Sequence, residues 1–483
     1  MVVAPGQDVL SELGDRTPLV VDLDGTLIRS DLRVQSAFAH LGQNPAGLRK
    51  LLGAMIHGKA ALKSFIAATT VIDVTNLPYD DAILTLIRKA AASGCPVYLA
   101  SASNERYVRA VAEHLGVFDG WFASSDTENL STATRARRLV EAFGQGGFDY
   151  IARAAADDPV SVVARRRVAV QAPSRARNLA ALDTEAVLLD PPPGKGLAWL
   201  RLLRTHQWAK NALVLVPLVT AQRFDLPALG EATLAFLAFS LAASGIYIVN
   251  DLVDLDADRK HPSKKRRPLA AGTVPALHAL LVAPIMIVVA LILAILIKPQ
   301  FTIVLLCYLV LTTAYSFVLK RKMMLDVVSL ATLYTIRVVG GAAAIAVPVS
   351  EWLLIFSMFI FTALALIKRY TELAVRLDTD LPDPTNRDYR KSDLSIVAAL
   401  AAAAAFNAVT VFALYISSET VHRLYRHPAA LWLICPILMY WLGRVLMMAH
   451  RRTLDDDPIM FALKDWNSLF AFGLIGAILI GAI

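Results

Sequence analysis

Asn250-Asp251-Leu252-Val253-Asp254-Leu255-Asp256-Ala257-Asp258-Arg259, followed by Lys264, Lys265, Arg266 and Arg267, is the stretch on which the reading of this chain turns. Directly before it runs Phe236-Leu237-Ala238-Phe239-Ser240-Leu241-Ala242-Ala243-Ser244-Gly245-Ile246-Tyr247-Ile248-Val249, which has the pattern of a membrane helix. Carboxylates are costly at such a place. If the helix continues, Asp251, Asp254 and Asp258 fall at i, i+3 and i+7 and share one face at a membrane–water boundary. Acids gathered in that way suit a hard divalent cation held by oxygen ligands.

Outward from this stretch the composition sets the class. The chain has 483 residues, 56% of them hydrophobic and only 18% charged, which excludes an ordinary soluble protein. The apolar residues are unevenly placed: 1–190 reads as soluble, whereas from about residue 205 apolar runs near bilayer-crossing length recur to the C-terminus. A formal charge of +8 suits anionic lipid surfaces or phosphorylated substrates. Cys95, Cys307 and Cys435 form neither a disulfide framework nor a zinc pattern. The N-terminus carries acids and no apolar signal core, so the soluble half is expected to stay in the cytosol. Nothing points to nucleic acid as a partner, and the sequence is silent on oligomeric state.

About nine spans are expected, near 207–221, 229–250, 276–297, 300–319, 325–346, 351–371, 394–416, 428–446 and 466–483. The basic connections follow the second, fourth, sixth and eighth of these, at Arg259 to Arg267, Lys320 to Lys322, Lys368 to Lys391 and Arg444 to Lys464. That alternation puts the N-terminal half, the acidic stretch and the long polar loops on the cytoplasmic side of a bacterial-type inner membrane. Asp190-Pro191-Pro192-Pro193-Gly194-Lys195-Gly196 is stiff and ends in glycine. It gives the expected organisation: an α/β domain over 1–190, a linker at 191–196, and an all-α multi-span bundle over 197–483.

In the N-terminal half, Leu19-Val20-Val21-Asp22-Leu23-Asp24-Gly25-Thr26-Leu27 reads as a buried strand ending in two aspartates, where open α/β sheets present their chemistry. This D-x-D-G-T motif resembles the haloacid dehalogenase (HAD) phosphatase superfamily. The resemblance implies a Rossmann-type fold with a small helical cap over residues 30–80. It also implies Asp22 as nucleophile, Asp24 as general acid/base, and Ser101, at the end of the strand Val97–Ser103, as a phosphate-binding hydroxyl. Arg135 stands where the family offers a lysine to the phosphate. Mg²⁺ would be held by Asp22, Asp24 and Asp157, although Arg153 occupies the place of an expected metal-binding acid. Two readings follow, an active phosphatase and a folded domain kept for partner or regulatory contact. Arg165-Arg166-Arg167 reads first as a solvated charged face and second as a phosphate or headgroup patch.

The membrane half gathers ionisable residues at its span ends: Arg204, His206, Trp208, Lys210 and Asn211 before the first, then the acidic stretch, then Tyr315, Ser316, Lys320, Lys322 and Asp326. Lys368, Arg369, Tyr370 and Glu372 follow at the sixth exit, with Asp455 to Asp457, Lys464 and Asp465 in the last loop. Arg337 lies inside a span, as a partner between helices or as part of a site. Tyr315 and Tyr370 read as interface aromatics or as ligands. Such a set describes a cavity with acids for Mg²⁺ and bases for phosphate.

With N-D-x-x-D-x-x-x-D after the second span and a polar loop after the sixth, the half resembles the UbiA superfamily of intramembrane transferases, whose acids hold Mg²⁺ on a pyrophosphate leaving group. R-x-x-Q-W-x-K-N at Arg204 to Asn211, D-R-K-H-P-x-K-x-R-R-P at Asp258 to Pro268, K-R-Y-x-E-L at Lys368 to Leu373, and D-D-P-x-x-F-A-L-K-D at Asp456 to Asp465 are most similar to its polyprenyl-phosphate (decaprenyl-phosphate) phosphoribosyltransferase branch. Where prenyltransferases of the superfamily carry a second D-x-x-x-D, this chain has Glu372, with Asp378 and Asp380 further on.

The resemblance implies transfer of 5-phosphoribose from phosphoribosyl pyrophosphate to a polyprenyl phosphate. Asp251, Asp254 and Asp258 would hold Mg²⁺, Asn250 would orient an acid, and Lys264, Arg267, Tyr315, Lys320, Lys368, Arg369 and Glu372 would line the phosphates. Arg204 and Lys210 are the candidates for the lipid phosphate. The alternatives are prenyl transfer to an aromatic acceptor such as 4-hydroxybenzoate, with the same Mg²⁺ chemistry, and a membrane-tethered phosphatase.

Overall fold

Leu19, Val20 and Val21 are apolar up to Asp22, and in the computed structural model they form the central strand of a parallel sheet. The structure describes residues 16–43, 53, 56, 59–152, 158–169, 195–261, 263–384, 387–454 and 457–483. Contacts divide the chain into two compact units, Met1–Leu203 with Tyr247–Pro284, and Arg204–Ile246 with Ile285–Ile483. The acidic stretch thus groups with the N-terminal half, which a linear boundary at 191–196 does not anticipate.

In the first unit the strands are β1 (Leu19–Asp22), β2 (Val97–Asn104), β3 (Gly120–Ser124), β4 (Asp149–Ala152) and β5 (Arg166–Ala169). They pair in parallel in the order β3-β2-β1-β4-β5. Alternation along β1 sends Leu19 and Val21 into one core, with Ile83, Ile87, Val108 and Val111, and Val20 into a second, with Leu139, Phe148 and Tyr150. The order reverses beside β1, so a crevice opens at the carboxyl ends of β1 and β4, the place where such sheets bind ligands. Helices Leu32–Gln43 and Lys59–Thr69 are inserted after β1, as the helical pattern over 30–80 predicts. Arg165, itself exposed, forks onto the buried Asp149 with two bonds of 2.9 Å, so this member of the arginine run pins β4 from a solvated face.

Among the described residues seven helices are long and apolar enough to cross a membrane: Leu226–Val253, Ala276–Ile297, Pro299–Phe317, Leu325–Ala344, Glu351–Asp378, Lys391–Ile416 and Pro428–His450. Seven of the about nine expected spans are these, and the two at the ends of the bundle fall outside the length criterion. The last apolar helix, Trp466–Ala482, has 17 residues, short of the length criterion. The expected first span is a 3₁₀ run, Thr205–Leu215, continued by the short α-helix Val216–Thr220. A 3₁₀ turn rises about 2.0 Å per residue, so these two pieces have a contour near 30 Å, comparable with a bilayer core despite their small residue number.

The bundle of the second unit is packed through small residues. On Leu325–Ala344, a Cβ added at Gly341 would lie 2.0 Å from the Val214 carbonyl oxygen, and one at Gly340 would lie 2.5 Å from the Phe239 ring. Ala363, Ala365, Ala401 and Ala405 let Glu351–Asp378 and Leu394–Ile416 approach closely. Ala276–Ile297 is different, with Ile285, Val288, Ile292, Ile295 and Leu296 exposed, as suits a lipid-facing helix.

Candidate functional site

At the end of β1, Asp22 and Asp24 project into the crevice, and each is held by groups the D-x-D-G-T motif and the next strands supply. Asp22 accepts from Thr26 Oγ1 at 3.0 Å and from Arg135 at 2.8 Å. Asp24 accepts from Ser101 Oγ at 2.5 Å, Ser103 Oγ at 2.9 Å and the Leu32 backbone N–H at 2.8 Å. Burial pushes the Asp22 carboxyl up to about 6, with Asp24 adding to the rise and Arg135 and Thr26 opposing it. Burial likewise raises Asp24, with Asp31 adding to it, and half-buried Asp158 is raised for the same first reason. Two adjacent acids whose carboxyls are both raised by burial suit nucleophilic and acid/base work. Asp157 and Arg153 lie outside the described residues. Sequence reasoning missed Lys63 of the inserted helix, which donates to the Ala102 carbonyl and to Asn129 Oδ1 at 2.5 and 2.6 Å.

In the acidic stretch the membrane helix ends at Val253, Asp254 takes a turn conformation, and a second helix, Leu255–Lys260, begins at once. Helical pairing bridges the break, since Asp254 N–H donates to Asn250 and Asp258 N–H to Asp254. Asp251 and Asp258 are both buried, and they meet on one nitrogen: Arg267 Nη1 lies 3.2 Å from Asp251 Oδ1 and 2.6 Å from Asp258 Oδ2. Burial raises the Asp258 carboxyl, and Arg267 opposes that rise. Lys264 starts a 3₁₀ turn beside this pair in sequence. Among the described residues no group of three or more His, Cys, Asp or Glu side chains converges at metal-binding distance. Two carboxylates focused on one positive point nevertheless fit Mg²⁺, which binds through one or two carboxylates, keeps waters, and takes phosphate oxygens for the rest.

The second unit holds the basic residues in two networks. Lys210 is ion-paired with Asp457, and Lys368 lies 3.8 Å from the same carboxylate. Asp457 also caps the helix Pro458–Ala462; burial raises its carboxyl, but the two lysines outweigh this and hold it below its usual range. In the other network Asp326, fully buried, receives Arg369 at 3.0 Å, Arg387 at 3.1 Å and Tyr315 Oη at 2.9 Å, while Glu372 pairs with Arg369 and Arg387.

Asp378 and Asp380, the other acids of the sixth exit, pair with Arg452 and Lys391. Arg337 is a partner between helices: it bonds Asn211 Oδ1 at 2.7 Å and Tyr308 Oη at 3.1 Å, and stacks over Tyr308 at 4.8 Å. Lys320 sits in the 3₁₀ turn Leu319–Arg321, and Arg204 opens the run Thr205–Leu215 with a left-handed φ of 53°. Arg387 was not singled out from sequence, because nothing local distinguishes it from its loop neighbours. Asp455 and Asp456 lie outside the described residues.

A family model described as the UbiA prenyltransferase family matches residues 212–472, more than half of the chain. The chain belongs to the UbiA prenyltransferase family. It is a UbiA-family membrane transferase, and its similarity to individual relatives is uneven along its length. A Sinorhizobium fredii protein, y4nM, is 36% identical over 467 residues, covering 96% of this chain and 90% of that protein. The nodulation protein NoeC of Azorhizobium caulinodans is 32% identical over 287 residues, 58% of this chain and 92% of the relative. The decaprenyl-phosphate phosphoribosyltransferase of Mycobacterium tuberculosis is 37% identical over 195 residues, 39% of this chain and 65% of that protein. Among solved structures, a UbiA homologue from Archaeoglobus fulgidus bound to GPP and Mg²⁺ aligns with a TM-score of 0.46 at 16% identity, covering 58% of this chain and 99% of that one.

Proposed function

We propose that this UbiA-family transferase moves 5-phosphoribose from phosphoribosyl pyrophosphate to a polyprenyl phosphate. The observation that carries the reading is the fate of the acids at the sixth exit. Asp326 and Glu372 are neutralised by Arg369 and Arg387, and with Lys210, Lys368 and Asp457 these two networks hold, among the described residues, four cations against three carboxylates. A surplus of cations suits substrates bearing several phosphates; an uncharged aromatic acceptor does not require it. The similarity to proteins named decaprenyl-phosphate phosphoribosyltransferase supports the same substrates.

Asp251, Asp254 and Asp258 would hold Mg²⁺, which when bound draws charge from the leaving pyrophosphate. The bond from C1 of the ribose to the pyrophosphate oxygen breaks with its electron pair going to pyrophosphate, and an oxygen of the lipid phosphate forms the new bond to C1. That oxygen is already ionised at neutral pH, so no strong base is needed. Asn250 orients an acid; Lys264, Arg267, Lys320, Lys368, Arg369 and Arg387 bind and orient phosphate oxygens; Arg204 and Lys210 take the lipid phosphate.

Purified protein given either phosphoribosyl pyrophosphate with polyprenyl phosphate, or polyprenyl diphosphate with 4-hydroxybenzoate, is expected to release pyrophosphate only from the first pair. Release only from the second would overturn the reading. A second activity in the N-terminal half, hydrolysis of a phosphomonoester such as the 5-phosphate of the lipid product, is favoured by Asp22 and Asp24 together in the crevice with Ser101 and Arg135. Asp22→Asn is expected to make the phosphorylated lipid accumulate; an unchanged product would count against it.

A further inference from the structure

The α/β half does not merely precede the acidic stretch in the chain; its inserted helix is bonded to it within one compact unit. Gln35, on Leu32–Gln43 and 2% exposed, donates through Nε2 to Asp256 Oδ1 at 2.6 Å and accepts at Oε1 from Arg259 Nη1 at 2.7 Å. Asp256 and Arg259 lie on the helix Leu255–Lys260, which Asp254 precedes and which carries Asp258. A single amide therefore bonds an acid and a base one turn apart, and fixes the rotation of that helix about its axis.

Two further contacts tighten the same junction. Lys260 pairs with Asp73 at 3.0 Å. Gly272, in the turn after the basic run, has φ of 68°, and a Cβ there would lie 2.5 Å from the Arg29 Cβ, so this backbone is pressed against the loop that follows Asp24. Arg259 in turn donates through Nε to the Ala270 carbonyl at 3.2 Å, tying that turn to the same helix.

We propose that Gln35 is a positioning residue for the transferase: by clamping Asp256 and Arg259 it sets the direction in which Asp254 and Asp258 present their carboxylates to the cation. The inference rests on the Mg²⁺ role given above to Asp251, Asp254 and Asp258. Gln35 belongs to the cap of the other half, and Asp24 of that half caps the N-terminus of the same helix through the Leu32 N–H. The α/β domain thus serves the transfer reaction structurally, whether or not it hydrolyses phosphate itself. Partners that orient a carboxylate toward a metal typically change metal affinity by about 10- to 100-fold when removed.

The test uses the full-length protein in vesicles. In Gln35→Leu the Mg²⁺ concentration for half-maximal transfer is expected to rise about tenfold or more, while kcat at saturating Mg²⁺ stays within a few-fold of wild type. Without added metal, trypsin is expected to cut several-fold faster after Lys260, Lys264 and Lys265. Gln35→Glu alone sets two acids against each other and is expected to behave like Gln35→Leu. The double variant Gln35→Glu with Asp256→Asn reverses donor and acceptor, keeps the bond to Arg259, and is expected to restore both the Mg²⁺ requirement and the trypsin resistance. Wild-type Mg²⁺ curves and cutting rates in Gln35→Leu, or a double variant no better than Gln35→Glu, would overturn the proposal. If instead Asp251→Asn and Asp254→Asn keep full Mg²⁺-dependent transfer, it is the metal role of the acids that fails, and the trypsin result still reports the clamp.

Discussion

The most informative side chain is Arg267, because it joins two of the acids. Its Nη1 sits where the carboxylates of Asp251 and Asp258 converge, and both acids are buried. Two buried carboxylates side by side repel unless a cation stands between them, and here the Arg267 guanidinium supplies that charge. Were Asp251 and Asp258 to hold Mg²⁺, as proposed, Arg267 would be free to bind a phosphate oxygen instead. Asp251→Asn is therefore expected to lower transfer by at least about 100-fold, the scale of several kcal/mol of leaving-group stabilisation; pyrophosphate release at fixed Mg²⁺ checks it.

Asp22 gives a second residue-level expectation. Its carboxyl is raised to about 6, above the value of an unfolded chain. The folded state then holds the proton longer, so stability is lost as pH rises from about 4 through 6, and the cost is complete above that window. Infrared difference spectra of wild type minus Asp22→Asn should show a protonated carboxyl band vanishing near pH 6. Arg135→Gln should move that midpoint upward, because it removes the charge that opposes burial; a wild-type midpoint below 5 would contradict both.

At the scale of elements, the seven long spans were legible because each holds an apolar window of bilayer-crossing length with few charges, and hydropathy needs nothing else. The 3₁₀ form of the expected first span was not, since a 3₁₀ run and an α-helix have the same hydropathy, and the form of Thr205–Leu215 is set by what packs on it. Gly341 lies against Val214 of that run, and the buried Asn211 bonds Ser240 and Arg337. Gly341→Ala would push a methyl into a backbone carbonyl, and is expected to cost about 1–3 kcal/mol, read as a lower unfolding temperature in detergent. Gly443→Ala, with open space around it, should leave that temperature unchanged.

Local motifs carried the site readings equally well. D-x-D-G-T and N-D-x-x-D-x-x-x-D each lie within ten residues, so the sequence already displays their grouping. Pairings across long separations were invisible. Arg387 reaches Asp326 over 61 residues, and Gln35 reaches Asp256 over 221. Charge type alone does not tell which of many arginines will close such a pair.

For the whole molecule, one unit gathers carboxylates at a strand end and in the acidic stretch beside the basic run Lys264 to Arg267, and the other holds the ion-pair networks of Lys210, Lys368, Arg369 and Arg387. Phosphoribosyl pyrophosphate carrying ¹³C in its ribose, given with polyprenyl phosphate, Mg²⁺ and the full-length protein in vesicles, tests the proposed transfer most directly. The expected result is heavy ribose carbon in the lipid fraction by mass spectrometry, formed in step with pyrophosphate and lost on chelation of Mg²⁺. Label that stays wholly in the aqueous phase while polyprenyl diphosphate and an aromatic acceptor are consumed would contradict it.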